Sequence, residues 1–207
     1  MSGWPKRVPT FKCAVFGHEG CGKTAFIQRH LTGAFEQEYL PTHGIVVIKL
    51  LFNTSRGPIC FEMWERGGAE YNPLPNSFFK KIKCAILMFD VGINEPFANF
   101  DTHYSLLNMV PAHVLRTICV NKTDIKPSKK NRLRLTIFRS TKISVKTNLN
   151  IEKPFEYFAR RLFKDRSLEL IPRPEMLPAQ VRLRGQDMLR QRESGAWAEQ
   201  SETDEDH

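Results

Sequence analysis

Apolar and polar positions along the chain fall into blocks that switch between two periods. Residues 11–16 form a short apolar run closed by Gly17, the pattern of a buried strand. Residues 23–31 follow with a helical rhythm. Residues 45–52 and 59–64 read as strands, joined by a hairpin turn over 53–58 where Asn53, Thr54, Ser55, Arg56, Gly57 and Pro58 cluster. Residues 84–91 are almost wholly apolar, as a central parallel strand should be. Helical periodicity returns over 97–110, a buried strand over 114–120 and a short last strand over 141–145. Residues 153–163 set Phe155, Phe158, Ala159 and Leu162 on one helical face. This alternation predicts an α/β fold: a mostly parallel six-stranded sheet with one antiparallel edge strand and helices on both faces.

The texture also divides the chain. Residues 1–10 read as a flexible N-terminus and 11–167 as one domain. Pro172, Pro174 and Pro178 mark 168–184 as an extended linker. Residues 185–200 can form one more helix, and 201–207 are an acidic tail expected to stay disordered.

Composition narrows the classes. Hydrophobic residues make up 41% of the 207, enough for a core, yet no apolar run reaches the roughly 18 residues of a membrane span. Residues 1–10 lack a signal-peptide stretch, Ser2 stands where a myristoylation signal needs glycine, and no cysteine lies near the C-terminus to be prenylated. No membrane anchor is expected, and the protein reads as a soluble intracellular monomer. Cys13, Cys21, Cys60, Cys84 and Cys119 are odd in number and widely spaced, which suits buried thiols better than a disulfide or zinc framework.

The net charge is +9. Between residues 122 and 146 one acid, Asp124, stands among Lys126, Lys129, Lys130, Arg132, Arg134, Arg139 and Lys142. Such a face can meet nucleic acid or an acidic partner, or be only solvated. It lacks the interleaved aromatics of a single-strand binder, so no direct nucleic-acid binding is expected.

Gly17, His18, Glu19, Gly20, Cys21, Gly22, Lys23 and Thr24 fit the pattern G-x-x-x-x-G-K-[ST], after a predicted strand and at the head of a predicted helix. Glycines let backbone N–H groups turn onto phosphate oxygens, and the helix N-terminus adds positive partial charge. Lys23 can reach β- and γ-phosphates, and the Thr24 hydroxyl can ligate Mg²⁺.

Asn121, Lys122, Thr123 and Asp124 close the strand at 114–120 and match N-K-x-D, about 100 residues beyond the phosphate loop. The Asp124 carboxylate can accept both N1–H and N2–H₂ of guanine, a pattern adenine lacks. Asn121 can tie this loop to the phosphate loop, and the Lys122 stem can lie over the base. Ser144, Val145 and Lys146 stand where GTPases carry S-A-K.

Further stretches resemble the Ran family of small GTPases. They include Arg29 to Gly33, Phe35 with Glu36, Tyr39, Thr42 with Gly44, Asn53 to Ile59, residues 84–91, residues 121–126 and Glu152 to Phe155. The resemblance runs over residues 10–163, and the acidic end at Asp204, Glu205 and Asp206 also fits. It implies the P-loop small-GTPase fold, GTP/GDP and Mg²⁺ as ligands, and nuclear transport receptors and Ran regulators as partners. It implies location in nucleus and cytoplasm. Thr42 matches the first-switch threonine that meets Mg²⁺ and the γ-phosphate.

Departures from that family concentrate on hydrolysis. Its second-switch motif D-T-A-G-Q here reads Glu65, Arg66, Gly67, Gly68 and Ala69. Ala69 stands in place of the glutamine that orients the attacking water, a loss worth roughly 2–4 kcal/mol of barrier. No catalytic residue is therefore assigned. Glu65 replaces an aspartate that reaches Mg²⁺ through water and is expected to keep that water-mediated contact, shifted by its extra methylene, and Gly68 keeps the backbone N–H facing the γ-phosphate. Glu19 replaces a glycine: its carboxylate either crowds the γ-phosphate or turns outward to His18 or a lysine. The second switch is shortened and holds Pro73 and Pro75, with Tyr71 and Asn72 near the aromatic position that a GDP-form carrier reads. These features predict a guanine-nucleotide binder with impaired hydrolysis. The alternative is a non-switching interaction module that competes for the same receptors.

Overall fold

The computed structural model describes residues 7–38, 40–67, 76–92, 110–126 and 140–172. In chain order its elements are β1 (Thr10–Gly17), α1 (Lys23–Thr32), β2 (Ile45–Thr54), β3 (Gly57–Arg66), α2 (Asn76–Phe79), β4 (Ile82–Asp90), β5 (Leu115–Asn121), β6 (Ser140–Lys142), α3 (Lys153–Leu162) and β7 (Leu170–Ile171). One sheet takes all the strands in the order β6-β5-β4-β1-β3-β2-β7. Strands β1, β3, β4, β5 and β6 are parallel, β2 is antiparallel to β3, and β7 is antiparallel to β2. This is the expected mostly parallel α/β arrangement, with β2 and β7 forming an antiparallel edge. The expected helical run at 97–109, the basic run at 127–139 and everything from residue 173 lie outside the described residues.

The central strands are apolar because both their faces are covered. In β4 only Lys83 is exposed. On one face α1 and α3 pack Phe26, Ile27, Phe155, Phe158 and Ala159 against Leu50, Phe52 and Phe61. On the other, Phe78 of α2 joins Phe16, Leu87, Phe89, Val110 and Val114. The α3 stripe read from spacing is thus the buried one. Phe155 is its centre, with ring centroids 4.6 Å from Phe52, 5.2 Å from Phe61 and 5.6 Å from Phe26.

Three expectations are corrected. The sheet has seven strands, not six: Leu170 and Ile171 pair with Thr54 and Asn53. Residues 168–171 therefore belong to the body, not the linker, and Leu168 is fully buried. Proline begins only at residue 172, and Leu168, Glu169, Leu170 and Ile171 before it can still pair and pack.

The hairpin turn is also tighter than read, since β2 and β3 pair out to Thr54 and Gly57 and leave only Ser55 and Arg56 as loop. The Thr54 hydroxyl donates to Gly57 O at 2.7 Å and accepts from Arg56 N–H at 3.1 Å. Arg56 pairs with Asp165 at 2.8 Å and Ser55 N–H donates to Glu169 O at 3.0 Å, which clasps this turn to the chain entering β7. Hydrogen bonds from Ser167 and Arg56 draw the Asp165 carboxyl down to about 2.

Thirdly, β6 stops at Lys142 instead of running to Val145. Ile143 N–H still reaches Val120 O at 2.8 Å, but Ser144 then folds back to bridge Leu149.

The parallel arrangement brings the carboxyl ends of β1, β4 and β5 to one edge. There Gly17 stands beside Met88, and Asp90 beside Asn121. Ligands of open α/β sheets bind outside this edge.

Candidate functional site

Between Gly17 and Lys23 the chain wraps around its own lysine. Lys23 is buried, and its Nζ donates to Gly17 O and His18 O, each at 2.9 Å. The N-cap of α1 is Gly22, which has no side chain to offer, and the first turn holds no acid. The N-cap therefore supplies no side-chain oxygen to the first-turn N–H groups, and a helix N-terminus left so can take an anion. Gly22 is required twice over: its φ is +98°, and a Cβ there would stand 2.4 Å from Asn121 Nδ2.

Asn121 is where the loops meet. Its Nδ2 donates to Cys21 O at 2.9 Å, and its Oδ1 accepts from Val145 N–H at 3.2 Å. The side chain is buried, so one amide joins the phosphate loop, the end of β5 and the loop at 144–146.

Asp124 lies exposed beyond Asn121, and its Oδ1 accepts from the buried Ser144 hydroxyl at 2.6 Å. Ser144 Oγ also accepts from Thr147 N–H at 3.1 Å. The Ser144 hydroxyl thus aims the Asp124 carboxylate, a contact the S-A-K match alone did not reveal. Lys146 is exposed.

Lys122 has a left-handed φ of 62° and pairs with Asp90 Oδ2 at 2.6 Å. The other Asp90 oxygen accepts from Gly92 N–H at 2.7 Å. Asp90 was missed as a site residue; its signal was an acid closing an otherwise apolar strand. His18 has its imidazole pKa lowered, by burial first and by the Lys23 charge second.

At the far end of the cleft three oxygens converge. Thr24 Oγ1 stands 2.7 Å from Thr42 Oγ1 and donates to Glu65 Oε1 at 2.5 Å. Glu65 is only 1% exposed. Hydroxyl and carboxylate oxygens are the hard donors a magnesium ion takes, so the donor set fits that ion. Gly67 N–H donates to Gly44 O at 2.9 Å, fastening the segment after Thr42 to the end of β3. Glu19 is exposed on the rim of this cleft, which Gly20, Lys23, Thr24, Thr42 and Glu65 also line. Glu36 and Glu38 line it too, brought there by the loop before Thr42 in a way that spacing alone did not reveal. Gly68 and Ala69 lie outside the described residues, as do Tyr71, Asn72, Pro73 and Pro75.

A glycine loop wrapped on a buried lysine, between a central strand and a helix, defines a P-loop nucleotide-binding protein. The sequence model of the Ras family matches residues 12–164, and the chain belongs to that family of small GTPases. Membership implies GTP binding. Ras-family proteins take GTP and GDP with Mg²⁺, and work through regulators and effectors. Among the described residues no helix is long and apolar enough to cross a membrane.

Proposed function

We propose that this is a Ran-like nucleotide switch of nucleocytoplasmic transport that holds guanine nucleotide firmly and hydrolyses it poorly. The observation that carries the guanine site is Asn121, whose amide couples the phosphate loop to the 144–146 loop. In this reading Gly17, Glu19, Gly20, Cys21, Gly22 and Lys23 surround the phosphates, with Gly68 at the γ-phosphate. Thr24, Thr42 and Glu65 serve Mg²⁺. Asp124 reads the guanine edge, the Lys122 stem covers the base under the hold of Asp90, and Ser144, Val145 and Lys146 close the pocket.

The stretches shared with the Ran family support transport receptors and Ran regulators as partners, and residence in nucleus and cytoplasm. Ala69 supports slow turnover: a barrier raised by roughly 2–4 kcal/mol is a slowing of roughly 30- to 900-fold. The test loads purified protein with GTP, measures single-turnover hydrolysis, and captures transport receptors with the GTP and GDP forms. Slow hydrolysis with GTP-selective capture is expected. A rate typical of the family refutes the slow turnover, and equal capture by both forms refutes the switch.

A further inference from the structure

We propose that Glu65 ligates the nucleotide-bound divalent cation directly, its carboxylate taking the coordination position a water would otherwise hold. The inference rests on the Mg²⁺ site of the guanine-nucleotide reading and concerns which atoms of this chain complete it.

The backbone of Glu65 has no freedom to withdraw. It pairs with Val15 of β1 on one side and Val46 of β2 on the other. The next turn of chain is held as well, by the bond from Gly67 N–H to Gly44 O at 2.9 Å. Nor can the side chain swing to solvent, since the residue is 1% exposed. Its full length is therefore spent inward. Relative to an aspartate the carboxylate advances by one carbon–carbon bond, about 1.5 Å.

That reach brings Glu65 Oε1 to 2.5 Å from Thr24 Oγ1, itself 2.7 Å from Thr42 Oγ1. In an octahedral Mg²⁺ shell with bonds of about 2.0–2.1 Å, neighbouring ligand oxygens stand about 2.9 Å apart. Both spacings are within about 0.4 Å of that edge length. Opening them by a few tenths of an ångström would seat the ion among oxygens already gathered, with the Glu65 carboxylate in the place of a ligand water. A charged ligand then stands where a neutral one would, so metal affinity rises while the count of metal-bound waters falls by one.

The experiment loads the protein with GDP and Mn²⁺ and counts metal-bound water from the broadening of the Mn²⁺ paramagnetic resonance by ¹⁷O-labelled water. Glu65→Asp should show one more water than the unaltered protein and bind Mn²⁺ roughly tenfold more weakly. Equal counts in the two proteins overturn the proposal. The unaltered protein also provides a test that does not depend on a variant folding. With ¹³C-carboxyl glutamate incorporated, a strong ¹³C coupling to Mn²⁺ is expected, and its absence overturns direct ligation. A protein that retains no guanine nucleotide refutes the nucleotide site itself, an outcome distinct from nucleotide retained with an unchanged water count.

Discussion

Replacing Asn121 tests the coupling of the two nucleotide loops. Asn121→Ala removes the donor to Cys21 O and the acceptor of Val145 N–H, both buried with the 2% exposed side chain. Each buried group stranded without a partner costs about 1–3 kcal/mol. The two together reach about 2–6 kcal/mol, and water admitted into the space left behind brings the sum to about 3 kcal/mol. If the loss falls on the bound state, GDP leaves about 150-fold faster. Release of a fluorescent GDP analogue, read in a stopped-flow instrument against excess unlabelled nucleotide, measures it directly. Urea unfolding with and without GDP separates loss of affinity from loss of fold. Asn121→Asp sharpens the argument. It keeps the acceptor for Val145 N–H but sets a carboxylate oxygen against Cys21 O, so at neutral pH it should release GDP at least as fast as the alanine variant. Protonation supplies an O–H that can donate to Cys21 O, so acid should slow its release relative to the alanine variant. Release from Asn121→Ala within about threefold of the unaltered protein, or identical pH behaviour of the two variants, would refute the claim that this amide joins the loops.

Other outcomes follow from the same geometry. At Gly67 a Cβ would stand 2.2 Å from Thr42 O, so Gly67→Ala should push the Thr42 segment off the Thr24 hydroxyl and weaken Mg²⁺-dependent retention of a non-hydrolysable GTP analogue about tenfold, while GDP retention changes little. Because burial and Lys23 depress the His18 pKa, the folded protein resists the proton that the unfolded chain accepts. Stability contributed by neutral His18 is present above the ordinary imidazole value of about 6.5 and is lost as pH falls below it; denaturant midpoints in His18→Gln should fall less over that range. Phe155→Ala opens a cavity among Phe26, Phe52 and Phe61 and should cost about 3–5 kcal/mol in chemical denaturation, against under about 1.5 kcal/mol for Phe155→Leu if the core repacks. Ser144→Ala should weaken GDP binding roughly fivefold through a misaimed Asp124, with little effect on the unfolding midpoint.

The parallel core was readable because a strand covered on both faces has almost no polar positions to confuse the period, as β4 illustrates. The α3 stripe was readable because Phe155, Phe158 and Ala159 repeat at helical spacing and find a single sheet face. The seventh strand was not, since two residues carry no period and Leu170 and Ile171 are strand only through β2. The same limit hid the end of β6, where the apolar Ile143 and Val145 bury as loop residues. The phosphate and base motifs are contiguous in sequence, so their residues could be named directly. The links between them could not. Asp90 meets Lys122, and Ser144 meets Asp124, across separations of 32 and 20 residues that no local pattern encodes.

Strand β7 sets a leash on whatever follows it. Leu170 and Ile171 pair with Thr54 and Asn53, at the hairpin end of β2 and away from the phosphate edge. Because β7 runs antiparallel to β2, the chain leaves Ile171 heading back toward Ile45, the strand residue nearest Thr42. Asn53 to Ile45 is eight steps of extended chain, about 27 Å at 3.4 Å per residue. A downstream segment that touched the first switch would first have to cover that distance, which takes at least about eight residues of fully extended chain.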